Sequence, residues 1–362
     1  MPRRRRWTPV RGTGNRIYDA RERVVAGAVD LAGRVWFAAF GRRARATAEP
    51  PRDLLVLRLD RIGDLVMSLP ALHDLRRAFP QARVRLAVGA WSEEVARRAP
   101  VDEVLVWSAP WAGRPHEGAL SFGALRERAR ALAGSPPDVA LDLQGDVRAS
   151  WLMHETGARR RVGYANTGGA YLLSDVVPLD ETVSWVEQNR RAVAAIAGPP
   201  VGPPVFDPLT DEDRAFATRL FGTLGLAAKR PLVAVHPSGG RLVKQWDVAR
   251  WAAVARRLQE EHRATVLVTG SAADRPLAAA LAGGLRDRPI DLTGKLGVVE
   301  TMAVIAAVDL FLSPDTGPMH MAAAVGTPSV SVFGPPECLR GVAVDAVYAA
   351  AARLLAETGA RA

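Results

Sequence analysis

At 362 residues, 48% of them hydrophobic and 24% charged, the chain is long enough for two cores of ordinary domain size and has the balance of a folded globular protein, which excludes a disordered chain and a polytopic membrane protein. One cysteine, Cys338, excludes an internal disulfide or a thiolate metal cluster within one chain and predicts a reducing compartment, the cytoplasm. The formal charge of +10 is concentrated at the start: residues 1–52 hold 13 of the 48 basic and 4 of the 38 acidic side chains, leaving 35 against 34 in the rest, so the body is not a basic nucleic-acid binder.

The first predicted element lies inside that leader. On a helix, Val25, Val29, Ala32, Trp36 and Phe40 share one face while Arg23, Asp30 and Arg34 lie opposite, an amphipathic pattern too short and too charged to span a bilayer. Residues 1–52 are therefore read as a basic leader with an amphipathic helix. Two readings stay open: peripheral contact with an anionic membrane, on the inner face of the cytoplasmic membrane, or a helix packed on the first domain or a disordered leader.

From residue 53 apolar strand patterns alternate with amphipathic helical ones, which predicts parallel sheets with crossover helices. Strands are expected at Leu54 to Leu59, Val84 to Val88, Val104 to Trp107 and Val139 to Leu143. The first intervening helix begins near Gly63, with Pro70 kinking it. The stretch AGPPVGPPVFDP, Ala197 to Pro208, is too rich in Pro and Gly for either element and reads as an interdomain linker.

The pattern then restarts. Strands are expected at Leu232 to His236, Thr265 to Thr269, Leu310 to Ser313 and Ser329 to Phe333, with helices from Trp246 to Glu261, near Val298 to Ala307 and from Gly317 to Val325. The predicted organisation is a leader at 1–52, a first domain at 53–197, a linker at 198–208, a second domain at 209–340 and a C-terminal helix at 341–362. Each domain is a Rossmann-like doubly wound α/β sheet, whose ligands bind beyond the carboxyl ends of the strands. Two such domains facing a central cleft would close over a ligand held between them.

Three segments fall at those strand ends. The first, Arg58-Leu-Asp-Arg-Ile-Gly-Asp64, pairs Asp60 and Asp64 with the charge of Arg58 and Arg61; Asp64 reads as a helix cap or as a carboxylate able to take a proton. The second, His236-Pro-Ser-Gly-Gly-Arg-Leu-Val-Lys244, is a Gly-rich loop carrying a Lys suited to a phosphate. It lacks the Gly spacing and the Lys-Ser/Thr ending of a nucleoside-triphosphate loop. His236 reads first as a satisfied strand-end histidine. The third, Ser313-Pro-Asp-Thr-Gly317 into a helix, reads equally as a well-capped helix or as a diphosphate site at a helix start. Asp211-Glu212-Asp213 after Thr210 is explained by capping, not by a metal.

Taken in order, RLDRIGDLVMSLPAL, HPSGGRLVKQW and SPDTGPMHMAAAVGTPSVSVFGP resemble the signature blocks of glycosyltransferase family 9, the ADP-heptose:lipopolysaccharide heptosyltransferases. Asp142-Leu-Gln-Gly145 and Arg161-Val-Gly-Tyr164 resemble acceptor-side blocks. The resemblance, from about Leu54 to Pro335, implies the GT-B architecture and an inverting transferase that needs no metal or other cofactor. Such an enzyme moves heptose from ADP-heptose, its nucleotide-sugar donor, to a lipid-linked glycan acceptor of the lipopolysaccharide core. It further implies Asp64 as general base and Lys244 as ligand of the donor phosphate, with Asp315, Thr316, Gly317, His320, Ser238 and Asp274 binding the donor and Arg58, Arg61 and Gln144 on the acceptor side. Asp274 stands where the family often has a ribose-binding Glu, and the segment after Pro335 is shorter than usual. Competing readings are another nucleotide-sugar enzyme of this architecture, such as an epimerase, and a non-catalytic binding protein. A dinucleotide dehydrogenase is disfavoured by the missing G-x-G-x-x-G.

Overall fold

A computed structural model describes residues 31–33, 35, 49–107, 122–239 and 242–359. The leader's predicted amphipathic helix thus lies outside the described residues except for Leu31 to Gly33 and Val35, which are helical. Gly33 stands against Tyr171, whose ring would lie 2.3 Å from an added Cβ. Among the described residues no helix is long and apolar enough to cross a membrane. The chain divides into two compact units, one ending at Val205 and the other starting at Phe206, within the Pro/Gly-rich stretch.

The first unit holds a six-stranded parallel sheet: β1 (Asp53–Arg58), β2 (Arg83–Val88), β3 (Glu103–Val106), β4 (Val139–Asp142), β5 (Arg160–Gly163) and β6 (Asp175–Val176), in the order β3-β2-β1-β4-β5-β6. Its helices are α1 (Ile62–Val66), α2 (Leu69–Ala78), α3 (Glu93–Ala96), α4 (Phe122–Ala133), α5 (Val147–Glu155) and α6 (Trp185–Ala197). Leu54, Leu55, Val56 and Leu57 are all buried, which explains their unbroken apolar run: helices cover both faces of a parallel sheet, so no position alternates to water.

Pro70 does not kink a single helix. The chain breaks at Met67 and Ser68 and starts α2 afresh with Pro70 in its first turn, where a missing N–H costs nothing because the first turn has no acceptor for it. Asn189 of α6, fully buried, donates from Nδ2 to the Met67 carbonyl at 3.1 Å and takes up one of the carbonyls freed by the break.

The second unit holds a five-stranded parallel sheet: β7 (Leu232–Val235), β8 (Thr265–Val268), β9 (Ile290–Asp291), β10 (Leu310–Pro314) and β11 (Ser329–Val332), in the order β11-β10-β7-β8-β9. Helices α7 (Asp211–Thr223), α8 (Val248–His262), α9 (Arg275–Gly283), α10 (Val298–Ala306), α11 (Gly317–Ala324), α12 (Pro336–Gly341) and α13 (Val344–Gly359) surround it. Its core joins Val233, Val235, Leu310 and Leu312 of the sheet to Trp251 and Leu258 of α8 and to Tyr348 and Ala351 of α13. At the start of α7, Thr210 Oγ1 accepts from the Asp213 N–H at 3.2 Å and the Asp213 carboxylate accepts from the Thr210 N–H at 2.9 Å. The carboxylate of Asp213 is thus used up as a cap. Among the described residues no group of three or more His, Cys, Asp or Glu side chains is placed to hold a metal ion.

Candidate active site

In both sheets the strand order reverses at one place, between β1 and β4 in the first unit and between β7 and β10 in the second. Loops leaving adjacent strands diverge there, and the crevice left beyond the strand ends is where doubly wound sheets bind ligands. The sequence blocks singled out above lie at these two points.

In the first unit, β1 pairs with β4 so that Leu57 faces Asp142, which brings the loops after Arg58 and after Asp142 together. Asp142 is fully buried and accepts backbone N–H groups from Gln144 at 2.9 Å and Gly145 at 2.8 Å. The turn needs glycine: Gly145 has φ +80°, and a Cβ there would lie 2.4 Å from Asn166 Nδ2. Burial pushes the Asp142 carboxyl up to about 7, against the pull of those two N–H donors and of Arg58.

Arg58 is itself buried, with a carboxylate or carbonyl oxygen near each of its three guanidinium nitrogens. Nε lies 3.1 Å from Asp60 Oδ1, Nη2 lies 3.7 Å from Asp64 Oδ1, and Nη1 donates to the Leu143 carbonyl. Arg58 is 2% exposed, with its charge turned toward these groups. Arg61 is exposed and Gln144 half-buried. Asp64 sits in the first turn of α1, where its Oδ2 accepts from the Arg61 N–H at 3.2 Å and its side chain keeps 32% exposure. It is both a helix cap and a partly exposed carboxylate. Asp60, paired with Asp64 in the sequence but given no role of its own there, has its carboxyl pushed up to about 7 by burial, opposed by Arg58 and aided by Asp64.

In the second unit the loop after β7 turns back on itself at Gly239, where an added Cβ would lie 2.8 Å from the Gln245 nitrogen. This close approach brings Lys244, at the end of a single 3-10 turn, over the end of β10. There its Nζ donates to Asp315 Oδ2. Thr316 caps α11 by position only: its side chain makes no capping bond, and its Oγ1 is buried without a hydrogen-bond partner. The first amides of α11, beginning at Gly317, therefore meet no side-chain oxygen from Thr316, and the positive end of the helix dipole remains available to an anion. His320 lies one turn further along α11, half-buried.

On the other side of β7, buried His236 has Nδ1 3.3 Å from Thr269 Oγ1, and burial holds its imidazole down to about 4, so the ring is neutral at neutral pH. Asp274 closes a small cap with Ser271, accepting from its N–H at 2.8 Å and its hydroxyl at 2.7 Å. Burial works to raise the Asp274 carboxyl, but the bonds from Ser271 and Ser238 outweigh it and hold the group below the ordinary carboxylate range. Ser238 and Asp274, predicted separately, thus lie close enough for the Ser238 hydroxyl to help hold the carboxyl down. Each site therefore supplies one kind of chemistry: a half-exposed carboxylate in the first unit, and a cation beside an open helix start in the second.

Comparison with known proteins adds a family. The sequence model of glycosyltransferase family 9 (heptosyltransferase) matches residues 125–348, more than half of the chain. The chain is 28% identical over 299 residues to lipopolysaccharide heptosyltransferase 1 of Pseudomonas aeruginosa, covering 78% of each protein. It is 24% identical over 291 residues to the lipopolysaccharide core heptosyltransferase OpsX of Haemophilus influenzae, covering 79% of this chain and 80% of that one. Among solved structures, the ADP-heptose lipopolysaccharide heptosyltransferase II of Escherichia coli superposes with a TM-score of 0.68 at 20% identity, over 84% of this chain and 99% of that one. That similarity shows the GT-B fold.

Proposed function

Because the chain belongs to glycosyltransferase family 9, we propose that it transfers a heptose from ADP-heptose to a lipopolysaccharide core acceptor, with inversion at the anomeric carbon and without a metal. The observation that carries this reading is the pairing of Lys244 with Asp315 beside the start of α11, a site built for a diphosphate on a fold whose relatives named above are heptosyltransferases.

The chemistry follows from where charge develops. An acceptor hydroxyl attacks the anomeric carbon from the face opposite the diphosphate, Asp64 takes the hydroxyl proton, and the bond from carbon to the leaving oxygen breaks. Negative charge grows on that oxygen as the bond lengthens. Lys244 and the first amides of α11 meet it with positive charge fixed in advance, an electrostatic contribution of about 3–4 kcal/mol for one well-placed donor. Fixed positive charge of that kind takes the part a divalent cation plays in other transferases.

A donor screen tests the reading. ADP-heptose at about a hundred times its dissociation constant is expected to stabilise the protein by about 2.7 kcal/mol, seen as a raised melting temperature, while UDP-sugars at equal concentration do little. A chelating agent added beforehand is expected to leave the shift unchanged. Equal protection by UDP-sugars would remove the ADP-sugar assignment, and loss of protection with the chelator would remove the metal-free one.

A further inference from the structure

We propose that Asp60 is a positioning residue for Asp64, acting through the buried Arg58 guanidinium that the two carboxylates share. The proposal rests on the reading of Asp64 as the base, and goes beyond it by asking what keeps that carboxylate free to act.

The guanidinium is held by one hydrogen bond and one close charge: the Leu143 carbonyl accepts from Nη1, and Asp60 Oδ1 lies 3.1 Å from Nε as an ion pair, so both draw the group away from Asp64. Nη2, the remaining edge, faces Asp64 Oδ1 at 3.7 Å, longer than the 3.1 Å to Asp60. Asp64 thus receives an oriented but loose ion pair, which keeps its carboxylate in place without quenching it. Were Asp60 absent, the guanidinium would be free to swing toward Asp64 and form the tighter, bidentate pair that such groups prefer.

Charge counting gives the arrangement a second consequence. The groups facing Asp60 are Arg58 from β1, Arg61 just before α1 and Asp64 from α1. Asp142 at the end of β4 competes for the same Arg58. From the turn before α3, Trp91 adds only an indole N–H to the Asp60 carbonyl at 2.6 Å, and Glu93 of α3 is bound to Arg97. Burial pushes the carboxyls of Asp60 and Asp142 up to about 7, so each exchanges its proton near neutral pH. When Asp60 ionises, its charge draws the Arg58 guanidinium toward itself and leaves the pair to Asp64 loose. The sign follows: turnover rises as pH climbs through about 7, where burial has pushed the Asp60 carboxyl, and reaches its full value above that.

The test is the pH profile of kcat for the full-length protein and for Asp60→Asn, with saturating ADP-heptose. Below the step the two are expected to agree, because Asn resembles the protonated Asp60. Above it the variant is expected to be slower by up to about tenfold, because the guanidinium is then free to pair tightly with Asp64, with KM for the donor unchanged. Asp60→Glu, which restores the charge on a longer stem, is expected to restore the step. A superimposable Asn profile, or a uniform loss at every pH with the step retained, would overturn the proposal while leaving Asp64 as base. Near-normal turnover of Asp64→Asn would instead overturn the reading on which the proposal rests.

Discussion

Asp64→Asn is expected to lower kcat by about 10²–10⁴-fold while leaving the affinity for ADP-heptose nearly intact. The two effects separate because Asp64 belongs to the first unit, whereas Lys244, Asp315 and the start of α11 belong to the second. Asn can still accept the Arg61 N–H that Asp64 accepts at 3.2 Å, so the cap of α1 survives and the melting temperature should move little. What Asn cannot do is take a proton. Initial rates and donor titrations on the purified variant check this. Turnover close to that of the wild type would leave Asp64 as a cap and nothing more.

Lys244→Ala is expected to act on donor binding and on bond breaking together, with kcat lower by about 10²–10³-fold and donor affinity reduced as well. The loss should exceed that of a lone phosphate contact, because Lys244 is paired with Asp315. Without the ammonium, the Asp315 carboxylate stands unbalanced beside the place proposed for the diphosphate and repels it. Removing both charges, in Lys244→Ala with Asp315→Asn, is therefore expected to recover part of the lost donor affinity without recovering the rate. Isothermal titration with ADP alongside steady-state rates distinguishes the contributions. If the single variant bound ADP as tightly as the wild type, Lys244 would not be a phosphate ligand.

The elements that could be read from the sequence are those whose physics is local. β1, β7 and β10 are unbroken apolar runs because both faces of a parallel sheet are covered, and Leu54 to Leu57 or Leu310 to Leu312 could hardly be anything else. The loops that follow them were legible as Gly-bearing turns leading into helices. Pro70 was misjudged because a proline inside a long helical pattern and one starting a second helix look alike until Met67 and Ser68 are seen to break the chain. The short edge strands β6 and β9, two residues each, carry too little pattern to be found at all.

At the site the division is similar. Asp64, Lys244 and Asp315 stood out because they follow strands inside recognisable blocks. Arg58 could be read only as positive charge beside the strand end, since nothing in the order of residues tells that Asp60, Asp64 and Leu143 surround it. That arrangement depends on β4 lying next to β1, about 85 residues apart in the chain. The same holds for the nearness of Ser238 to Asp274, which rests on the pairing of β7 with β8. The Asp274 carboxylate itself is committed to Ser271.

The central claim is heptosyl transfer, and the most direct measurement is the product. Purified protein incubated with ADP-heptose and a heptose-deficient lipopolysaccharide, in the presence of a chelating agent, is expected to yield acceptor heavier by one heptose together with an equal amount of ADP. The new linkage should have the anomeric configuration opposite to that of the donor. Release of ADP without a modified acceptor, a retained configuration, or transfer that stops when metal is removed would each contradict the account.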